Sequence, residues 1–155
     1  MGFDAFLKIH DSTGNILIEG ESTDKTHPGE IEIDSFSWGV TNPSSSSSGG
    51  GGGTGKAALQ DFHFTAPISK ASPNLMLACA TGKHVPLATL TVRKSGFEFQ
   101  KIRLADVLVS SYATGGEIQE DRPEDQFSLN FVKIDFLYSV QRTGETVEVS
   151  FDPSL

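Results

Sequence analysis

The chain has 155 residues, which favours a single domain over residues 1–155, and its 37% hydrophobic content is ordinary for a globular protein. It carries 12 Lys and Arg against 20 Asp and Glu, a net charge of −8, which disfavours a generally cationic nucleic-acid-binding or membrane-surface protein. The single cysteine excludes an internal disulfide and a zinc site built from cysteines. The first residues have neither the cationic start nor the apolar stretch of a cleavable signal peptide, and no apolar run is long enough to span a membrane. We therefore expect a cytoplasmic protein that, if it is exported, leaves without a cleavable signal.

The first elements in chain order predict a β-hairpin. Apolar residues alternate between residues 3 and 9, which is the period of a strand with one buried face. Residues 12–15 are a turn signal, and residues 16–19 are a second apolar run. We expect these two strands to pair in antiparallel fashion.

Two longer segments change their buried face partway along. In residues 30–40 the apolar positions are odd up to Ile33 and even from Phe36, and residues 127–140 show the same change after Phe131. A bulge or a sharp bend produces such a change, and strands that turn a corner are typical of a closed or strongly curled barrel. The predicted inward-facing core residues are Phe36, Trp38, Phe62, Phe64, Phe131 and Phe136.

Further strands are predicted at residues 59–66, 88–94, 97–109 and 146–151. One short helix is predicted to begin at Ser72-Pro73, with Ser72 as its N-cap, and to stop at Gly82. The expected fold is mainly β: a curled antiparallel β-barrel of two packed sheets, with one short α-helix on its side and one long Gly/Ser loop.

That loop covers about residues 41–56 and is too polar and too rich in glycine to join a core, so we expect a flexible loop. Its end matches the spacing G-x-x-x-x-G-K of a phosphate-binding loop, but Ala57 stands where Mg²⁺ needs a hydroxyl, and a strand follows instead of a helix. We therefore predict no nucleotide binding. Loops of this length in compact domains are often functional.

No constellation of residues predicts enzyme chemistry. The four histidines, at positions 10, 27, 63 and 84, lack the spacing of metal ligands, and Cys79 lies in the predicted helix as a buried thiol. Asp121 and Asp125 could mimic a catalytic carboxylate pair, but that spacing is common in loops. His63 is expected on the strand face opposite Phe62 and Phe64, at the surface or in a subunit contact. We predict a protein that is not an enzyme, with no catalytic residue, no cofactor and no metal.

Several segments, taken in order, resemble the haemolysin-coregulated proteins, the tube-forming Hcp family of bacterial type VI secretion systems. The segments are Gly20-Glu21-Ser22-Thr23-Asp24-Lys25, Ser37-Trp38-Gly39-Val40, Gly49 to Lys56, Gln60-Asp61-Phe62-His63-Phe64-Thr65, Lys70-Ala71-Ser72-Pro73-Asn74-Leu75-Met76, Ala78-Cys79-Ala80-Thr81-Gly82-Lys83-His84, Val107-Leu108-Val109-Ser110-Ser111, Thr114-Gly115-Gly116 and Glu120-Asp121-Arg122.

The resemblance implies a homo-hexameric ring with a wide lumen, and rings that stack head to tail into a tube beneath a spike and inside a contractile sheath. Sheath contraction expels the tube, so the protein is also secreted, and the lumen can carry effector cargo. The resemblance further implies that the long loop reaches the neighbouring ring; its candidate ring-stacking residues are Ser44, Ser48, Gly49, Gly50, Gly51, Gly52, Gly53, Thr54, Gly55 and Lys56. Neither nucleic acid nor membrane insertion is expected.

Two alternatives remain open from the residues. The first is a tail-tube protein of a phage-like extracellular contractile injection system, which shares the fold. The second is an independent ligand-binding barrel, which predicts a monomer with an apolar cavity. The charges are uneven along the chain, and we expect a basic set (Lys83, Arg93, Lys94, Lys101, Arg103) to contribute to one ring face and an acidic segment to the other.

Overall fold

The computed structural model describes residues 2–43 and 56–153. These residues form a mainly β structure with one helix, as the sequence predicts. The elements are β1 (Asp4–His10), β2 (Ile16–Ile18), β3 (Ile31–Ile33), β4 (Ser35–Ser37), β5 (Val40–Thr41), β6 (Ala58–Leu59), β7 (Phe62–Pro67), α1 (Ser72–Thr81), β8 (His84–Lys94), β9 (Phe97–Gly115), β10 (Glu124–Asn130), β11 (Lys133–Ser139) and β12 (Thr146–Phe151).

All strand pairs are antiparallel, and the strands form one large sheet and one small one. The large sheet follows the order β2-β1-β8-β9-β10-β7-β4, while β5 and β6 form a separate pair. The long strand β9 organises the large sheet, because its first half pairs with β11 and its second half with β10. β12 then pairs with β11, and β3 pairs with β1.

Both predicted changes of buried face coincide with a change of partner strand. Residues 31–33 pair with β1, residues 35–37 pair with β7, and between them the Asp34 N–H donates to the Thr65 carbonyl at 2.8 Å. The second change separates β10 from β11: both pair with β9, but the neighbour on the other side is β7 for β10 and β12 for β11. Opposite this point Asp106 of β9 has a positive φ of 54°. Each of the two long strands predicted from the sequence is therefore divided in two, because a strand that leaves one neighbour for another must bend.

The expected barrel is present as a curl and is not a barrel closed by hydrogen bonds. The hydrogen-bonded path runs from β2 to β4, and no ladder joins those two ends within residues 2–43 and 56–153. Instead the backbone itself links them, since β3 on β1 continues through Asp34 into β4 on β7. The two packed layers enclose one apolar cluster that includes Leu7, Leu90 and Leu129.

The helix starts one residue earlier than its predicted cap implies. Ala71 occupies the N-cap position, and Ser72 is the first helical residue, so the prediction of Ser72 as N-cap is wrong. Ser72 instead turns its hydroxyl inward, where it is buried. The end of the helix is as predicted: Gly82 adopts the left-handed conformation, with φ of 66°, and its N–H caps the last turn.

Candidate assembly surfaces

One border of the large sheet exposes apolar side chains beside a free backbone edge. β12 pairs with β11 alone among the strands of the described ranges. Val147, Val149 and Phe151 are 55%, 64% and 42% exposed, and Tyr138 on β11 is 47% exposed. Their register puts them on the face that further along β11 buries Ile134 in the core. We call Tyr138, Val147, Val149 and Phe151 the β12 edge; it is a candidate contact surface, because contiguous exposed apolar patches usually mark interaction sites.

The opposite border of the sheet has an apolar patch of its own. β2 pairs only with β1 in the described part of the chain, and Leu17 of β2 and Leu77 of α1 are exposed. These two side chains line a shallow groove of about 170 Å³ that also includes Lys83. We call Leu17, Leu77 and this groove the β2–α1 patch. It lies across the sheet from the β12 edge, because β2 and β12 are the first and last strands of the row β2-β1-β8-β9-β11-β12.

The segment between β2 and β3 is fastened to the sheet by an arginine. The Arg93 guanidinium donates to both carboxylate oxygens of Asp24, at 2.7 and 2.9 Å, and to Asp4 at 3.2 Å. It also lies 4.9 Å from the centre of the Phe6 ring. The hydrogen bonds from Arg93 hold the pKa of Asp24 well below its ordinary value. Arg93, predicted for a ring face, is therefore already paired within the subunit.

His27 fastens the same segment at a second point. Its ring stacks on Phe6, with centroids 4.6 Å apart, and is buried. Its two ring nitrogens lie 3.0 Å from a carboxylate oxygen of Glu30 and 2.7 Å from one of Glu98. The sequence did not reveal this cluster, since Glu98 lies 71 positions away along the chain.

A third polar cluster joins the start of α1 to the sheet. The buried carboxylate of Asp125 accepts hydrogen bonds from the Ser72 hydroxyl and, at 2.8 Å, from the Tyr112 hydroxyl. Burial raises the pKa of Tyr112, and the hydrogen bond to Asp125 adds to that rise. Asp121 is exposed and lines a separate cleft, so the structure does not bring Asp121 and Asp125 together as a carboxylate pair.

The remaining predicted charges separate into different places. Lys101 and Arg103 line a groove on the sheet, Lys94 ends β8, and Lys83 borders the β2–α1 patch. The basic set therefore does not form one face. The acidic residues stay together: Glu117, Glu120, Asp121 and Glu124 line an open cleft of about 600 Å³ with Arg122.

The predicted core residues have two degrees of burial. Phe62, Phe64 and Phe131 are buried, whereas Phe36, Trp38 and Phe136 are half-buried and pack against the core. His63 is exposed on the other face of β7, Cys79 is half-buried, and Val40, which shares the parity of Trp38, is 51% exposed.

The long loop is represented in the structure by its two flanks only. Thr41 and Ala58 pair as β5 and β6, and Lys56 is exposed. The candidate ring-stacking residues Ser44, Ser48, Gly49, Gly50, Gly51, Gly52, Gly53, Thr54 and Gly55 lie outside the described residues.

Within the described ranges no group of three or more His, Cys, Asp or Glu side chains is placed to hold a metal ion. No helix there has the length and apolar character that crossing a membrane requires.

Known proteins match this chain over nearly its whole length. A family model described as "Type VI secretion system effector, Hcp" matches residues 6–138. Protein hcp1 of Pseudomonas aeruginosa is 47% identical over 146 residues, which cover 92% of this chain and 86% of that protein. The crystal structure of Hcp1 from Salmonella typhimurium is 33% identical, with a TM-score of 0.83 over 99% of this chain and 97% of that one. A type VI secretion system effector from Yersinia pestis is 32% identical, with a TM-score of 0.79 over 96% and 99%. Because sequence and fold agree over these lengths, the chain belongs to the Hcp family, the tube proteins of type VI secretion systems.

Proposed function

We propose that this chain is a structural subunit, not an enzyme, that forms hexameric rings, and that these rings stack head to tail into the inner tube of a type VI secretion machine. The observation that carries the proposal is the pair of free sheet borders at opposite sides of one subunit. A ring needs such an arrangement, because each subunit must offer one surface to the next and a different surface to the one before.

The β12 edge of one subunit fits the β2 border of its neighbour. An unpaired strand edge presents backbone N–H and C=O groups that another strand can satisfy. The side chains agree with this pairing, since both borders carry exposed apolar residues, Val149 and Phe151 on one and Leu17 on the other. Joining these borders extends the six-strand row from one subunit into the next.

The different polarity of the two faces of this six-strand row indicates how the row is oriented in the ring. One face holds Leu7, Leu90 and Leu104, which are buried beneath the second layer of the fold. The other holds polar side chains, among them Lys8, Thr89 and Arg103. We assign the polar face to the lumen, because the bulk of the subunit lies on the apolar side.

The partners follow from this role. The outer surface of the tube faces the contractile sheath, and the end of the tube meets the spike. The lumen is the place for effector cargo, and the loop of residues 41–56 contacts the next ring. Expulsion by the sheath exports the protein without a cleavable signal.

Replacing Val149 by Asp tests the ring. The side chain is 64% exposed in the single subunit, so its replacement spares the core, but a carboxylate buried between two subunits is costly. We expect the wild type to have the mass of a hexamer at micromolar concentration and Val149→Asp that of a monomer, by mass photometry. Ile118→Asp, at a fully exposed residue outside the β12 edge, is the matched control and keeps the ring. A wild-type monomer, or a Val149→Asp hexamer with the wild-type melting temperature, contradicts the proposed contact.

A further inference from the structure

The polar face of the large sheet has a groove in which three cations meet. Lys8 of β1 and Lys101 and Arg103 of β9 line an open groove of about 400 Å³, and Thr89 and Thr91 of β8 lie between them. The groove belongs to one subunit, so it does not depend on the proposed ring.

The strand register fixes the spacing of these cations. Lys8 lies opposite Thr89, and Thr89 lies opposite Arg103, so the three side chains share one face of adjacent strands. Two strand spacings put the Cα atoms of Lys8 and Arg103 roughly 10 Å apart, and two residues of strand put Lys101 roughly 7 Å from Arg103. Side chains of this length reach a common point from such positions.

None of the three cations has a carboxylate partner within the described ranges. Two cations elsewhere in the described ranges differ in this respect: Arg93 pairs with Asp24, and Lys70 pairs with Glu19. The protein has a net charge of −8 and therefore more carboxylates than cations. Three unpaired cations that repel one another in one groove of such a protein indicate a place that suits an anion.

The neighbouring acidic groups do not form ion pairs with these three cations. Glu30 lines the groove, but its carboxylate faces His27 at 3.0 Å. Asp135 of β11 is directly opposite Arg103, yet its Oδ1 receives no hydrogen bond from the described residues and lies 4.0 Å from the Lys133 ammonium. The other titratable lining groups are two histidines: His27, which contacts Glu30, and His10, whose Nε2 is 2.8 Å from the Thr89 hydroxyl.

We propose that this groove binds a compact anion that carries phosphate groups. The planar guanidinium of Arg103 can bind two phosphate oxygens at once, Lys8 and Lys101 supply point charges, and the Thr89 hydroxyl, which contacts His10, adds a neutral polar group. The groove is small and its lining largely polar, with Leu87 as its aliphatic member, which favours a compact anion over an acidic peptide.

Calorimetric titration with inorganic pyrophosphate at low ionic strength tests this site. We expect saturable binding with one site per subunit, weakened about tenfold to a hundredfold by the double variant Lys101→Gln, Arg103→Gln, the range for losing hydrogen bonds to charged groups. Lys83→Gln with Lys94→Gln removes the same charge outside the groove and leaves the affinity unchanged. Asp135→Asn removes the negative charge opposite Arg103, which repels a bound anion, and tightens binding.

Three results overturn the proposal. The first is a wild type that does not bind pyrophosphate at millimolar concentration. The second is an equal loss of affinity in the two double variants, which indicates general attraction to positive charge. The third is tighter binding of a glutamate-rich peptide than of pyrophosphate, which makes the groove a peptide site. Unchanged melting temperatures of the variants establish that the subunit is intact, and a failed ring test leaves this site unaffected.

Discussion

At the scale of single residues, a chain of aromatic rings links the half-buried rim of the fold to its core. The Trp38 indole is nearly parallel to the Phe62 ring, with centroids 6.0 Å apart, and Phe62 stacks on Phe64 at 4.9 Å. Phe64 in turn stacks on Phe127 at 5.2 Å. Trp38 stands at the outer end of this chain, and its indole N–H has no acceptor among the described residues. It therefore contributes mainly through apolar contact.

Truncating Trp38 should cost less than truncating a ring inside the core. Phe127 is fully buried, so we expect Phe127→Ala to lower the free energy of unfolding by about 3–5 kcal/mol, and the half-buried Trp38→Ala to lower it by about 2 kcal/mol. Denaturant unfolding of both variants measures the two losses. An unchanged midpoint for Trp38→Ala, or a loss equal to that of Phe127→Ala, contradicts the ranking.

At the scale of elements, local patterns in the sequence located the strands and distant contacts decided how they pair. The alternation of apolar residues identified the corner near Asp34, because a change of parity is visible within ten residues. It did not identify the partner strands on either side, β1 and β7, since pairing depends on residues far along the chain. The role of Ser72 was missed for the same reason: its partner Asp125 lies 53 positions away, and the local signal of a serine before a proline is that of an N-cap.

The segment between β2 and β3 has no regular secondary structure, and side chains hold it in place. Arg93 and His27 attach it to β1, β8 and β9, through Asp24 and Glu98. The position of such a segment depends on the charges of the side chains that bind it, whereas the position of a strand depends on its backbone hydrogen bonds.

Removing the Asp24 charge should therefore destabilise the protein in a pH-dependent manner. Arg93 depresses the pKa of Asp24 below its ordinary value of 3.8, so this contact stabilises the fold fully above that pH and loses its effect as the pH falls through the lower folded-state value. We expect Asp24→Asn to melt below the wild type at neutral pH and the gap to shrink in strong acid. Glu32→Gln, at an exposed carboxylate of β3 with no hydrogen bond or ion pair to the described residues, serves as a comparison. A gap that is constant from neutral to acidic pH would show that the ion pair is not its cause.

At the scale of the whole molecule, the sequence predicted the family and the curl of the sheet but not where charges meet. A basic middle segment does not become a basic face, because Lys83 and Lys94 lie at opposite ends of β8 and Arg93 is paired within the subunit. The sequence also did not reveal the β12 edge as an exposed surface. The alternation of Val147, Val149 and Phe151 indicates an apolar face, but whether that face is covered depends on how far the second layer of the fold extends, which no local pattern shows.

The topology puts two exposed cations at one end of the subunit, where Glu145 shares the turn of Arg142, and the acidic cleft at the other end. Lys94 lies at the turn between β8 and β9, and Arg142 lies in the turn between β11 and β12. Both turns are at the same end, because Tyr138 of β11 pairs with Gln100 near the start of β9. The acidic cleft, with Glu120 and Asp121, follows the other end of β9. If the two ends form the two faces of the proposed ring, head-to-tail stacking brings Lys94 and Arg142 of one ring next to the acidic cleft of another.

Tube growth should consequently depend on salt in a way that ring formation does not. Exposed charge pairs contribute only about 0–1 kcal/mol each, but a hexameric face repeats them. They are screened over about 8 Å at physiological ionic strength, while the apolar and backbone contacts within a ring are not. We expect tube length, measured by electron microscopy, to fall as salt rises. Lys94→Gln with Arg142→Gln should shorten tubes at low salt and remove the salt dependence, with rings intact.

Lys83→Gln with Lys133→Gln, which removes the same charge before β8 and at the start of β11, away from that end, should leave tube length at the wild-type value. If tube lengths are equal for the wild type and both double variants across the salt series, charge does not hold the rings together. Ring stacking must then depend on contacts between neutral residues. Deletion of residues 45–52 tests whether the long loop makes those contacts, because the deletion leaves Lys94 and Arg142 in place. A deletion variant that forms rings but no tubes at any salt concentration would assign stacking to the loop.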